Sequence, residues 1–192
     1  MKWVVLTIIA VLVPYTYLTL HYRKPGPAYR PYQDAQDRAN VVRLLEAGYR
    51  RITIAAQRPA EPVKGAANAP ILPATGGLPE ALTKTLVQQP LLPAEILGVS
   101  AAGSLNTDQP YAIQLTCTVP DNTQQLAGAS LYLRDSEIIV APDFELLAGG
   151  LLARTRESVI LLTVPGGSIK PGQYRVTLAG QRASRAWVLQ VH

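Results

Sequence analysis

Few residues of this 192-residue chain are placed for chemistry. The two histidines, His21 and His192, stand far apart, and neither has a second ligand at a spacing a metal needs. Cys117 and Met1 are the only sulfur residues. One cysteine allows no internal disulfide and no cysteine zinc cluster, and a Cys/Met/His copper site is not expected either. Asp135/Glu137 and Asp143/Glu145 form close carboxylate pairs beside a turn. Such pairs bind calcium in some extracellular domains, but more commonly they are a solvated turn, here with Arg154 and Arg156 as available counter-charges. Ser104, Ser136 and Ser158 lack a G-x-S-x-G frame, and no glycine-rich phosphate loop follows a strand. The expectation is a chain that is not an enzyme, with no catalytic residue, no cofactor and no metal.

The elements that would carry these residues fall into four segments. Residues 1–22 form an anchor. Trp3 to Leu20, "WVVLTIIAVLVPYTYLTL", holds 18 positions without a charge. As a helix this covers about 27 Å, close to the ~30 Å hydrocarbon core of a bilayer. Pro14 is tolerated in such a helix, and Trp3, Tyr15, Tyr17 and Tyr22 lie toward its ends as interfacial aromatics do. A cleaved signal peptide is the rival reading, but no A-x-A-like site follows directly. A buried soluble helix is the third. Arg23, Lys24 and Arg30 against Lys2 favour a cytoplasmic C-terminal part by positive charge. A short N-terminus before an uncleaved segment favours the opposite, a periplasmic or extracellular domain, which is the orientation adopted here.

Residues 23–56 are a basic juxtamembrane segment with a helix over 34–47. Asp34 is its expected cap, Gly48 its terminator, and Ala35, Ala39, Val42 and Leu45 recur at helical spacing beside Val41 and Leu44. Seven basic residues against three acidic ones lie between Arg23 and Arg51. Arg23, Lys24, Arg30, Arg43, Arg50 and Arg51 are therefore candidates for contact with a membrane surface or a membrane-protein partner. The alternative is an ordinary helix packed on its own domain with solvated arginines. Nucleic acid is not expected, because residues 94–192 carry seven basic and eight acidic residues and no recognition motif. Residues 57–93 hold seven prolines and read as a Pro/Ala-rich linker. Within it, Leu78, Leu82 and Leu86 predict a short helix that docks on the domain or a partner.

From residue 94 the apolar period becomes two. "YAIQLTCTV" is the clearest strand, with Tyr111, Ile113, Leu115, Cys117 and Val119 on one face. Six further strands are expected: 95–101, 129–134, 137–140, 159–164, 173–178 and 186–191. The stretch 144–153 is ambiguous.

"KPGQYRVTL", Lys170 to Leu178, resembles the sixth-strand signature of immunoglobulin-like and fibronectin-III-like modules. The resemblance covers about half the chain. It implies a mainly β fold, a seven-stranded sandwich over 94–192 behind the anchor, the juxtamembrane helix and the linker. It implies that Tyr174 makes the tyrosine corner, and that Cys117 and Val176 occupy the positions of the usual disulfide. Cys117 is then a small core hydrophobe. Trp187 lies on the last strand rather than the third. The layout is similar to that of small accessory proteins beside bacterial respiratory oxidases. It implies a single-pass membrane protein whose non-catalytic domain contacts a membrane-protein partner. A domain binding carbohydrate or peptide in the cell envelope is the alternative.

Overall fold

The computed structural model describes residues 2–22, 31–59, 69–147 and 151–192. Residues 1–35 and 36–192 form two compact units, each taken by itself below.

The first unit contains α1 (Lys2–Tyr22), one helix of 21 residues with Pro14 inside it. Among the described residues, no helix is long and apolar enough to cross a membrane. The side chains of residues 4–7, 9, 10 and 19–22, within α1, lie outside that description.

The second unit is mainly β. Its strands are β1 (Arg50–Gln57), β2 (Leu72–Thr75), β3 (Glu95–Ala101), β4 (Ser104–Leu105), β5 (Tyr111–Thr118), β6 (Gln124–Arg134), β7 (Glu137–Leu146), β8 (Glu157–Val164), β9 (Gly172–Leu178) and β10 (Ala183–Val191). They form one curled sheet in the order β2-β10-β9-β7-β6-β1-β8-β5-β3, with β4 beside β10. The fold is at β1. Arg50–Ile54 pair with β6, whereas Ala55–Gln57 pair with β8. One strand therefore passes from the first layer to the second, and the layers face each other as in a sandwich.

The seven strands expected beyond residue 94 all form, with the short β4 in addition. β6 starts five residues early, at Gln124, because a bulge between Leu126 and Gly128 carries it past the glycine. β7 takes in Phe144, which resolves part of the ambiguous stretch; residues 148–150 lie outside the described residues.

Two features depart from the expected layout. The compact unit begins at Gln36, so the juxtamembrane segment and the linker both supply parts of it. β1 sits mid-sheet, and β2 extends the β10 edge. The connectivity also differs from an immunoglobulin-like sandwich, whose sheets are antiparallel. Here β7 runs parallel to β9 and β4 parallel to β10.

The main core lies between the layers. β5 alternates buried and half-exposed residues, as its sequence requires, and presents Tyr111, Ile113, Leu115 and Cys117 inward. Across from it stand Ile138, Val140, Val176, Leu178, Trp187 and Leu189 in the same apolar cluster. Cys117 and Val176 are both fully buried there, and the cysteine is free. A hydrogen-bonded chain links the layers: Trp187 Nε1 donates to the Tyr111 hydroxyl at 2.9 Å, and that hydroxyl donates to the Ala102 carbonyl at 2.8 Å. Tyr174 donates its hydroxyl to the Lys170 carbonyl at 3.0 Å, four residues upstream.

A second core covers the outer face of the first layer. The run Ile138–Ala141 is buried on both faces of β7, since Ile139 and Ala141 point outward under two helices. These are α2 (Pro31–Glu46) and α3 (Glu80–Thr85). Leu82 and Leu86 are buried in this cluster, with Leu78 packed against it, so the linker helix docks on its own domain.

α2 starts at Pro31, three residues before the expected Asp34 cap; proline suits a first helical turn, where its missing N–H is no loss. It ends as foreseen at Gly48, whose φ of 76° only glycine adopts cheaply. Gly48 N–H donates to Leu45 O at 3.0 Å and Tyr49 N–H to Leu44 O at 2.7 Å, a Schellman closure. Tyr49 and Leu44 are then packed together in the second core. The expected face of α2 is not the buried one. Asn40 and Leu44 turn inward, while Val42 and Leu45 of the predicted stripe are exposed.

Candidate interaction surface

A cleft of about 380 Å³ opens where α2, the segment Leu86–Leu91 and the outer face of β6 and β7 meet. Its far wall is held by two side chains acting as clasps. Asn40, buried in α2, accepts from Val87 N–H at 2.6 Å. Asp143 on β7 accepts from Leu91 N–H at 2.9 Å. Leu91 O in turn accepts from Phe144 N–H at 3.0 Å, which adds a one-residue rung to the edge. A mid-helix asparagine competes with its own backbone, so Asn40 is favourable here only because Val87 supplies a partner.

The floor carries Arg51, Ser130, Tyr132 and Asp143. Arg51 stands opposite Tyr132 in the β1–β6 register, and residues directly opposite share a face. Arg51 Nε donates to Ser130 Oγ at 3.2 Å. Burial raises the Tyr132 hydroxyl above the usual phenol range, against the Arg51 charge and a hydrogen bond with Ser130. Burial likewise raises Asp143, and the Leu91 N–H and Arg51 oppose it. The hydroxyl of Ser130 therefore faces a cation and not a base, which is the wrong partner for a nucleophile. The cleft offers one cation, Arg51, three carboxylates, Asp37, Asp143 and Glu145, an aromatic hydroxyl and backbone edges.

Of the six candidate contact residues, the structure brings one, Arg51, into this cleft. Arg50, its neighbour, points the other way by strand alternation and donates to the Ser168 carbonyl. Arg43 lies exposed in the last turn of α2, where a cation complements the helix dipole. Arg23, Lys24 and Arg30 lie outside the described residues.

The carboxylate pairs do not converge. Asp135 occupies the two-residue β6–β7 turn with a φ of 52°, a conformation aspartate tolerates. Glu137 faces Arg134 at 3.8 Å, and Glu145 accepts from Gln125 Nε2 at 2.8 Å. Arg156 donates to Asn122 at 3.1 Å, not to these pairs. Among the described residues no group of three or more His, Cys, Asp or Glu is gathered to hold a metal ion. Burial drives the Cys117 thiol up to about 12, so the thiolate is disfavoured.

Sequence reasoning singled out Asp143 only within a carboxylate pair, and did not single out Asn40, Ser130 or Tyr132. Asn40 alone carried a signal, as a lone amide in a helical run between apolar neighbours. Comparison with known protein families, with curated proteins and with solved structures finds no match for this chain.

Proposed function

We propose that this chain is a single-pass membrane-anchored protein whose β unit is a non-catalytic interaction module, an accessory or assembly subunit of a membrane complex. The observation that carries the reading is α1: a single helix of 21 residues containing 18 consecutive uncharged positions. Its 18 uncharged residues cover about 27 Å of helix, close to the ~30 Å hydrocarbon core, although the described residues of α1 do not reach the length and apolarity of a spanning helix. The domain then lies on the periplasmic or extracellular side. Its reactive groups are engaged with one another, Ser130 with Arg51 and Asp143 with Leu91 N–H, which supports a scaffold over a catalyst.

The immunoglobulin-like kinship belongs to this proposal too. It rests on the Tyr174 corner and on the paired burial of Cys117 and Val176. A second reading, an envelope module for peptide or carbohydrate, is favoured by the cleft at Arg51, Tyr132 and Asp143.

Extraction of the full chain in mild detergent, followed by mass measurement of the intact particle, separates the two. A stoichiometric membrane-protein partner supports the subunit reading. A lone chain that binds oligosaccharide or peptide, and loses binding on Arg51→Ala, overturns it in favour of the second.

A further inference from the structure

α2 carries apolar side chains beyond the face its domain buries, with Val41 and Leu45 at the rim of a recess shared with Tyr49 and Thr53. Asn40 and Leu44, one turn apart, are buried against the first layer. Arg38, Val41, Val42 and Leu45 follow the i, i+3, i+4, i+7 pattern of a separate stripe. Val41, Val42 and Leu45 are 47, 54 and 64% exposed there. A helix whose only task was to cover the sheet would carry polar residues on that side.

Two further facts select the occupant. Only residues 23–30 separate the end of α1 at Tyr22 from the start of α2 at Pro31. Eight residues span at most about 30 Å when fully extended, so the chain itself keeps α2 close to the surface from which α1 emerges. The segment between Arg23 and Arg51 is also basic, seven residues to three, and Arg38 lies within the stripe. An apolar stripe set with arginine, tethered beside a membrane, matches an interfacial helix that buries its apolar side at the acyl boundary and its cations among anionic headgroups.

We infer that the Arg38–Leu45 face of α2 lies on the anionic lipid surface and fixes how the β unit is presented to the membrane. The inference rests on the anchor reading of α1. It assigns this face to lipid, leaving the cleft, on another side of the helix, for a protein partner.

The test uses the full chain reconstituted into phosphatidylcholine vesicles with or without phosphatidylglycerol. An environment-sensitive fluorophore is placed on Leu45→Cys, with Val188→Cys, an exposed site on β10, as control. Cys117 is buried and stays unlabelled in the folded protein. Expected is quenching by brominated lipid at position 45, not at 188, that strengthens with phosphatidylglycerol. Arg38→Gln should weaken the association about fivefold, the worth of one cation at an anionic surface. Absent quenching at position 45 in chains that float with the vesicles overturns the inference and leaves the anchor standing. Chains that fail to float overturn the anchor reading itself. Equal quenching with and without phosphatidylglycerol overturns the anionic requirement. Energy transfer between labels at position 45, without lipid quenching, assigns the face to a second copy and overturns the inference.

Discussion

Removing the Tyr111 hydroxyl tests the way the two layers are joined. In Tyr111→Phe the ring still fills its place, but Trp187 Nε1–H loses its acceptor. Trp187 is 2% exposed, so water cannot replace that acceptor. An orphaned buried donor costs about 1–3 kcal/mol, and the lost bond to the half-buried Ala102 carbonyl adds about 0.5–1 kcal/mol. The expected total is about 2–4 kcal/mol. In a unit of this size each kcal/mol moves the midpoint by about 2–4 °C, so a fall of roughly 4–16 °C follows. Tyr174→Phe is the control. It also deletes one phenolic oxygen, but its acceptor is the carbonyl of exposed Lys170, which water can serve. Its cost is about 1 kcal/mol and a shift of about 2–4 °C. Both variants are unfolded thermally as full chains in detergent, with near-ultraviolet circular dichroism following the Trp187 environment. A shift for Tyr111→Phe no larger than that for Tyr174→Phe would refute the reasoning.

Other expectations can be checked alongside it. Burial raises the Cys117 thiol from 9.0 to about 12 and the Tyr111 hydroxyl from 10.0 to about 12. The folded chain therefore keeps protons that the unfolded chain releases, and stability from this source is whole below about pH 9 and lost between about pH 9 and 12. Urea midpoints measured across that range should fall; a flat profile would contradict the burial of both groups. The same thiol should react with a maleimide at pH 8 only as fast as the whole unit unfolds, and labelling of the native protein in minutes would contradict its placement. Leu82→Ala should cost about 2–5 kcal/mol by chemical denaturation because Leu82 is fully buried, whereas Leu78→Ala, at the margin, should cost visibly less. Asp143 is raised by burial, so its charge is a burden at neutral pH that is relieved as pH falls through its folded value. Asp143→Asn keeps an acceptor for Leu91 and should be neutral or slightly stabilising at pH 7; a large loss of stability would mean the charge itself is needed.

What the sequence made legible follows from how local each signal is. β5 alternates without a break over Tyr111–Thr118, and one face of it is core, so both strand and burial were readable. The end of α2 was readable because Gly48 serves a backbone need that few residues meet. β1 was visible only as a short alternation, and its place between β6 and β8 was not. Its partners lie some 75 to 110 positions away, at Ala129–Leu133 and Leu161–Thr163, and nothing local encodes such pairing. β2 is four residues long and contains Pro73, which fits an edge strand but looks like linker. The buried side of α2 was misread because Asn40 is polar and Val42 apolar. The segment after α3 selects the first through the Val87 N–H, and the second is left facing outward. The cleft was the least legible part, since β1, β6, β7, α2 and the Leu86–Leu91 segment meet there only in the folded chain.

The central claim is that Trp3–Leu20 anchors the β unit in a bilayer. Alkaline carbonate extraction of membranes from cells making the full chain, compared with a chain lacking residues 3–20, tests it most directly. The account predicts that the full chain stays in the pellet with integral proteins and that the shortened chain is released. Release of the full chain into the supernatant at high pH would contradict it.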